Sequence, residues 1–199
     1  MSKKLRVNEV IYIAPGISGM LDENGDPIVF DERKKVSLDP RNIDDKIKIY
    51  KRQVKEWFLK PAARFLRGNN NGFVVLMICM SYLEGIEQYR RGQNTDNGGS
   101  RAFFVSALEN IYPGRYNRYN LEELYREARC GLFHNGMVRG KIIMNSEFTE
   151  PLDFPDPTTI KVSPKKLLAD INNDFAQFLV SIKTDRQIRS NFDRMFSNI

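Results

Sequence analysis

Histidine, cysteine and long apolar runs are all scarce in this 199-residue chain. Each scarcity argues against a kind of site or a class of protein. The chain has one histidine, His134, and two cysteines, Cys79 and Cys130. Both cysteines fall inside helical patterns, which indicates buried free thiols rather than a disulfide framework. A structural zinc site takes four ligands, more than two cysteines and one histidine provide. We therefore expect no metal and no other cofactor.

The longest apolar run, Phe73–Met80, is too short to cross a bilayer. The basic residues 1–4 are not followed by the apolar core of a signal peptide. Apolar residues make up 41% of the chain and charged residues 28%, which is ordinary for a globular domain. The sequence thus predicts no membrane association and a cytoplasmic location.

Lysine is absent from residues 61–140, although the whole chain carries a net charge of +6. Arginine presents a planar fork that suits phosphate, whereas lysine is a point charge. The pattern permits an anionic partner such as RNA or a nucleotide, and ordinary surface charge is an equally good explanation. The ten basic residues of this stretch are Arg64, Arg67, Arg90, Arg91, Arg101, Arg115, Arg118, Arg126, Arg129 and Arg139.

Apolar residues recur at spacings of three and four over most of the chain, which predicts amphipathic helices. Pro61 is expected to kink the first helix or to begin a new one. Gly136 is a natural stop for the fourth helix, and Ser163-Pro164 is a strong start for the fifth. The predicted helices begin near Asn42, Phe73, Ser100, Asn120 and Ser163, with a short sixth around Ile188–Met195.

Short stretches rich in strand-forming residues lie at both ends of this helical region. Two, Val7–Ile13 and Ile28–Phe30, fall in the first 40 residues, and two more, Val138–Met144 and Thr159–Val162, are expected to pair as a hairpin. The sequence therefore predicts a mainly all-α fold, a bundle of five to six helices with one or two small β-hairpins. Residues 1–40 would form a β-rich appendage and residues 41–199 the helical domain.

Arg129 and His134 are the residues most suited to chemistry. An arginine binds a phosphodiester, and a histidine transfers a proton to or from a ribose hydroxyl or the leaving oxygen, without a metal. On an ideal α-helix, positions five apart are roughly 140° apart, so the two side chains would not share a face. The structural alternative, favoured by the spacing alone, is that His134 caps its helix and Arg129 pairs with an acid.

The stretch Leu124–Gly136, LYREARCGLFHNG, resembles the signature of the HEPN superfamily (higher eukaryotes and prokaryotes nucleotide-binding). That signature is an arginine, four to six residues and a histidine near the end of a helix in a helical bundle. Arg129 and His134 match it with four residues between them. The resemblance covers roughly residues 42–183. It implies a metal-independent endoribonuclease that acts as a homodimer, in toxin–antitoxin, phage-defence or RNA-processing systems, with the motif at the dimer cleft.

The family often has a polar residue, frequently asparagine, directly after the arginine, where this chain has Cys130. Inactive members of the family also exist. Two hypotheses therefore stay open. The first is an RNA-cleaving homodimer, with a neutralising protein partner where it is a toxin. The second is a non-catalytic module that binds RNA, a nucleotide or a protein.

Further residues are candidates for supporting roles. Arg126 and Asn135 lie near the motif, and Glu84 is placed to pair with Arg129 across the bundle and orient it; the alternative for Glu84 is a surface residue at a helix end. A run of alternating tyrosine and arginine is suited to stacking on bases and gripping phosphates. Its structural alternative is a helix connection anchored by aromatic rings. The RNA-binding candidates are Arg115, Tyr116, Arg118 and Tyr119.

Overall fold

The structure is a computed structural model that describes residues 5–68, 71–96 and 98–196. Six continuous helices run through this described part, and two of them contain π-helical segments. The helical elements are α1 (Ile43–Arg52), a first π-helical segment (Gln53–Leu59), α2 (Lys60–Phe65), α3 (Gly72–Arg91), α4 (Ser100–Ile111), α5 (Arg118–Leu124), a second π-helical segment (Tyr125–Asn135), α6 (Pro164–Thr184) and α7 (Arg186–Phe196).

Two β-sheets accompany the helices, so the prediction of a mainly all-α fold with one or two small hairpins is wrong. The strands are β1 (Ile11–Ala14), β2 (Ile17–Leu21), β3 (Pro27–Asp31), β4 (Val36–Leu38), β5 (Ile142–Met144), β6 (Leu152–Asp156) and β7 (Thr159–Val162). Strands β1 to β4 form an antiparallel sheet in chain order, and the other three form a mixed sheet in the order β5-β7-β6. The protein is mixed α/β.

The sequence patterns missed β2, β4 and β6 because none of these segments stands out as a run of strand-forming residues. Strand β2 contains Gly19 and β6 contains Pro155, residues that strands disfavour. The predicted hairpin between residues 138–144 and 159–162 is also wrong. Strand β5 runs parallel to β7, and the antiparallel partner of β7 is β6.

The helix predictions succeeded where apolar periodicity was strong. Helix α3 is central and packs against α4, α6 and α7. Its buried residues include Leu76, Cys79, Met80 and Leu83. Both cysteines are free thiols as predicted, but only Cys79 is buried, and Cys130 is half-buried. Burial raises the pKa of the Cys79 thiol. Ser163 caps α6 as expected, whereas Gly99 takes the capping position before α4 that was predicted for Ser100.

Pro61 neither breaks nor ends its helix, which continues from Ile43 to Phe65. Proline lacks a backbone N–H, and its ring crowds the preceding turn of an α-helix. The first π-helical segment ends just before it, and the amide of Lys60 donates to the carbonyl of Lys55, five residues back. The wider winding thus leads the helix into the proline without interruption.

The N-terminal sheet and the helices share one hydrophobic core, in which Ile13, Ile17 and Val29 of the sheet are buried together with Tyr50 of α1. The division of the chain at residue 40 stays a prediction, and residues 1–4 and 197–199 at its two ends lie outside the described residues. Among the helices described, none is both long and apolar enough to span a membrane.

A buried ion pair ties the sheet to the first helix. Arg52 donates to both carboxylate oxygens of Asp31, at 2.8 and 2.6 Å. The two side chains are 14% and 4% exposed, respectively. Hydrogen bonding from Arg52 lowers the pKa of Asp31. Next to this pair, the Gln53 amide donates to the Ile13 carbonyl oxygen at 2.7 Å.

We expect Asp31→Asn to lower the free energy of unfolding by about 3 kcal/mol at neutral pH, because it leaves the Arg52 charge buried without a counter-charge. A lowered folded-state pKa means that the wild-type contribution is complete above roughly pH 4 and is lost as the pH falls through the folded pKa. The difference between variant and wild type should therefore shrink in acid. Urea unfolding at several pH values measures it.

Glu9→Gln is the matched control, since the Arg6–Glu9 pair is exposed and should matter little. Equal effects of the two substitutions, or a pH-independent difference for Asp31→Asn, would contradict this account.

Candidate functional site

The predicted motif lies on the second π-helical segment, which continues α5 without a break. The helix begins at Arg118 and is capped by Asn117, whose side-chain oxygen accepts from the Asn120 amide at 2.8 Å. The helix therefore starts two residues before the predicted Asn120. Gly136, with a φ of 70°, ends the helix as predicted, because the left-handed conformation there suits glycine.

The π-helical winding changes the relation between Arg129 and His134. In an α-helix each backbone N–H bonds to the carbonyl four residues back, whereas in a π-helix it bonds five residues back. Residues five apart in a π-helix are thus stacked on successive turns, as residues four apart are in an α-helix. Arg129 and His134 are five apart within this segment. The winding therefore brings them to the same side of the helix.

Arg129 pairs with Glu84 of α3, as the sequence predicted. Its Nε and Nη2 atoms donate to Oε2 of Glu84 at 3.1 and 2.8 Å. The other carboxylate oxygen of Glu84 accepts from the Thr95 hydroxyl at 3.0 Å. The Arg129 and Glu84 side chains are 20% and 12% exposed. One edge of the guanidinium is thereby fixed, and none of the described residues forms a hydrogen bond with Nη1.

Two aromatic rings flank the same guanidinium. Its Cζ atom lies 5.6 Å from the ring centroid of Tyr125 and 5.0 Å from that of Phe133, four residues to either side. Burial raises the pKa of the Tyr125 hydroxyl, although Arg129 opposes the rise, so the phenol is neutral at pH 7. The sequence analysis did not assign these rings to the site. The sequence could have indicated them, because Tyr125 and Phe133 each lie four residues from Arg129 and aromatic rings near a guanidinium attract it.

His134 and Asn135 are exposed near the end of the helix. Over residues 5–68, 71–96 and 98–196, no group is hydrogen-bonded or ion-paired to the imidazole of His134. The capping half of the structural alternative therefore has no contact to support it, whereas its other half, Arg129 paired with an acid, is present as the Arg129–Glu84 pair. The imidazole is accessible to solvent and to a ligand.

Gly131 lies between the two motif residues, and the chain that follows the helix, residues 137–139, packs against it. A Cβ atom built on Gly131 would lie 2.7 Å from the Met137 carbonyl oxygen and 3.2 Å from the Val138 Cα. The Arg139 amide donates to the Glu127 carbonyl oxygen at 2.9 Å. Residues 137–139 thus fold back on the helix and hold the end that carries His134, and only a glycine leaves room for them.

Arg126 is engaged in other contacts. Its Nη2 atom donates to Glu123 at 2.5 Å, and its Nε atom donates to Glu127 at 3.3 Å. No described contact joins it to Arg129 or His134. Its supporting role stays a prediction, as does that of Asn135.

The tyrosine and arginine run is largely a packed helix connection. The Tyr116 hydroxyl donates to the Leu152 carbonyl oxygen at 3.0 Å, and its ring meets Tyr112 and Phe154. Arg115 pairs with Glu150, and Arg118 pairs with Glu109 and Glu122. Tyr119 is 64% exposed. These contacts match the structural alternative, and a role in RNA binding remains a prediction.

Within the described residues, no three His, Cys, Asp or Glu side chains come together in an arrangement that could hold a metal ion. Comparison of the chain with protein-family models, curated proteins and solved structures found no match.

We expect Gly131→Ala to destabilise the protein by about 1–3 kcal/mol, because the added methyl group meets the backbone of the returning chain. Hydrogen exchange should be faster at the Arg139 amide, which is bonded to the helix. Gly140→Ala is the control, since a Cβ there meets nothing within 4 Å. Similar unfolding curves for the two variants would show that residues 137–139 do not need the glycine.

Proposed function

We propose that this protein cleaves RNA without a metal, as a HEPN-type endoribonuclease, with Arg129 binding the phosphate and His134 transferring a proton. The observation that carries the proposal is the second π-helical segment. It brings an accessible histidine to the same side as an arginine that a carboxylate and two rings already position. A π-helical turn is rare and frequently occurs at functional sites.

Arg129 is suited to the phosphate because it is held at one edge and open at another. Glu84 accepts from Nε and Nη2, which leaves Nη1 without a hydrogen-bond partner among the described residues. A guanidinium fixed before the substrate arrives loses little conformational entropy on binding. It can also stabilise the charge that builds on the phosphate oxygens in the transition state.

His134 would act on the ribose or on the leaving group. In this reaction the ribose 2′-oxygen attacks phosphorus, the bond from that oxygen to phosphorus forms, and the bond from phosphorus to the 5′-oxygen breaks. A base takes the proton of the 2′-hydroxyl, and an acid gives a proton to the 5′-oxygen. The products are a 2′,3′-cyclic phosphate and a 5′-hydroxyl end.

A homodimer supplies the second proton-transfer group. The reaction uses both an acid and a base, and each chain has one histidine. A two-fold axis near the second π-helical segment would place two copies of His134 in one cleft. The exposure of His134, Phe133 and Met137 is compatible with such a contact.

A second candidate function is binding without cleavage. Arg129 is four-fifths buried and already neutralised by Glu84, an arrangement that also serves to hold two helices together. Cys130 stands where the family often has a polar residue. The same surface would then bind RNA, a nucleotide or a protein partner and leave it intact.

The wild-type protein in excess EDTA should cleave single-stranded RNA to products with 2′,3′-cyclic phosphate and 5′-hydroxyl ends. Both Arg129→Ala and His134→Ala should lower the rate about 10²- to 10⁴-fold, because each removes a group that acts in the transition state. Denaturing gels with end-group analysis measure this. Arg186→Ala, an exposed arginine on α7, is the matched control and should retain the wild-type rate.

No cleavage by the wild type, or equal cleavage by all four proteins, would refute the ribonuclease. RNA binding that Arg129→Ala weakens, in the absence of cleavage, would support the second candidate.

Glu84 gives a separate prediction. Glu84→Ala should lower the cleavage rate at saturating RNA about ten- to a hundredfold, since the guanidinium loses the group that orients it. Glu84→Gln keeps an acceptor oxygen and should recover part of the loss. Steady-state kinetics measure kcat and KM separately. An effect on KM alone, or equal rates for the two variants, would contradict an orienting role.

A further inference from the structure

A pocket of about 340 Å³ lies between the first π-helical segment and α3. We call it the aromatic pocket, because five rings line it, those of Tyr50, Trp57, Phe58, Tyr82 and Tyr89. This volume is in the range of small-ligand sites, which are typically apolar with a few polar groups. Two further side chains of the lining, Gln53 and Ser81, are polar, and the remaining lining residues are Val54, Ile78, Gly85 and Ile86.

The polar side chains of the aromatic pocket have unused hydrogen-bonding capacity. No described residue forms a hydrogen bond with the Ser81 hydroxyl. Gln53 donates through Nε2 to the Ile13 carbonyl oxygen, which leaves its own oxygen as an acceptor. The aromatic pocket therefore offers aromatic ring surface, of which Trp57 and Phe58 are the more exposed part, together with a donor and an acceptor. This combination suits a planar heteroaromatic ring.

Gly85 lies in the pocket wall without a structural reason for being glycine. It sits in the middle of α3, a 20-residue helix, where glycine costs about 1 kcal/mol relative to alanine. A Cβ atom there would meet nothing within 4 Å, so no neighbouring backbone demands its absence. What the missing side chain does provide is space in the aromatic pocket. A residue that lowers local stability and has no structural role is typical of functional positions.

The opposite wall is the first π-helical segment, which contributes Gln53, Val54, Trp57 and Phe58. Both π-helical segments of the described chain thus border α3. One presents the aromatic pocket, and the other presents Arg129 and His134.

The aromatic pocket is close to the proposed phosphate site. Glu84, which holds Arg129, directly precedes Gly85, so the two features lie on neighbouring sides of one helix. Consecutive residues of an α-helix point about 100° apart. Met77 and Ser81, which lie between the directions of Glu84 and Gly85, are exposed. The surface of α3 between the two features is therefore open to an RNA strand.

We propose that the aromatic pocket binds a purine or pyrimidine ring, namely a base of the RNA whose phosphate lies at Arg129. Its assignment to an RNA base rests on the proposed function. A free nucleotide shares the same chemistry, and the experiment distinguishes the two sources.

Trp57 is the only tryptophan in the chain and lies in the pocket wall, so its fluorescence reports directly on occupancy. The probes are adenosine and uridine monophosphates, a six-nucleotide single-stranded RNA, and ribose 5-phosphate. We expect saturable quenching by the nucleotides or the RNA, and none by ribose 5-phosphate. The RNA should bind at least tenfold more tightly than a mononucleotide when the source is RNA; the reverse order identifies a free nucleotide.

Gly85→Leu fills the aromatic pocket and should weaken the response at least tenfold, with Gly85→Ala intermediate. Gly140→Leu is the control outside the pocket and should respond like the wild type. Unfolding curves separate loss of binding from loss of folding, and Gly85→Ala is expected to fold at least as well as the wild type. Quenching that is equal in all variants, quenching by ribose 5-phosphate, or a response to decanoate alone would overturn the proposal.

These experiments test the ribonuclease and the aromatic pocket separately, so one proposal can be refuted while the other stands. Quenching by the mononucleotides that depends on Gly85 and survives in Arg129→Ala supports the pocket even if no RNA is cleaved. Cleavage that Gly85→Leu leaves unchanged, without any quenching, overturns the pocket and leaves the ribonuclease intact.

Discussion

The orientation of α3 depends on a buried polar network along its last turns. Asp174 of α6 accepts from the Tyr82 hydroxyl at 2.7 Å and pairs with Arg90. The Asn191 amide of α7 donates to the Arg90 carbonyl oxygen at 2.6 Å. Glu87 accepts from two side chains of α4. Apolar packing tolerates a rotated helix, whereas buried charges must meet their partners. The network therefore fixes the rotation of α3 about its own axis, and with it the position of Glu84 opposite Arg129.

Much of the helical part could be predicted from the sequence, because apolar spacings of three and four over ten or more residues leave little ambiguity. The sheets could not. Strands such as Val36–Leu38 are too short for alternation to appear, and their partners are decided by packing. The parallel pairing of β5 with β7 was the hardest to predict, since an intervening strand, β6, pairs with β7 from its other side.

Only part of the candidate site could be predicted from the sequence. The Glu84–Arg129 contact could be predicted, because both residues mark polar points on apolar helix faces. The side shared by Arg129 and His134 could not, since residues five apart diverge on an α-helix. Thr95 gave no signal at all, because it lies in a loop. The aromatic pocket was hidden for a similar reason: Trp57 and Gly85 are far apart in the chain and look like core and helix interior.

The winding of the second π-helical segment also affects how its motif should be recognised in other chains. Four residues intervene between Arg129 and His134, and a chain with three between them would reach the same arrangement on a plain α-helix. Insertion of one residue and a local change from α to π winding therefore compensate each other. A search pattern with a fixed number of residues between the arginine and the histidine tests only their separation in the sequence. Whether the two side chains share a side of the helix depends on the number of turns between them.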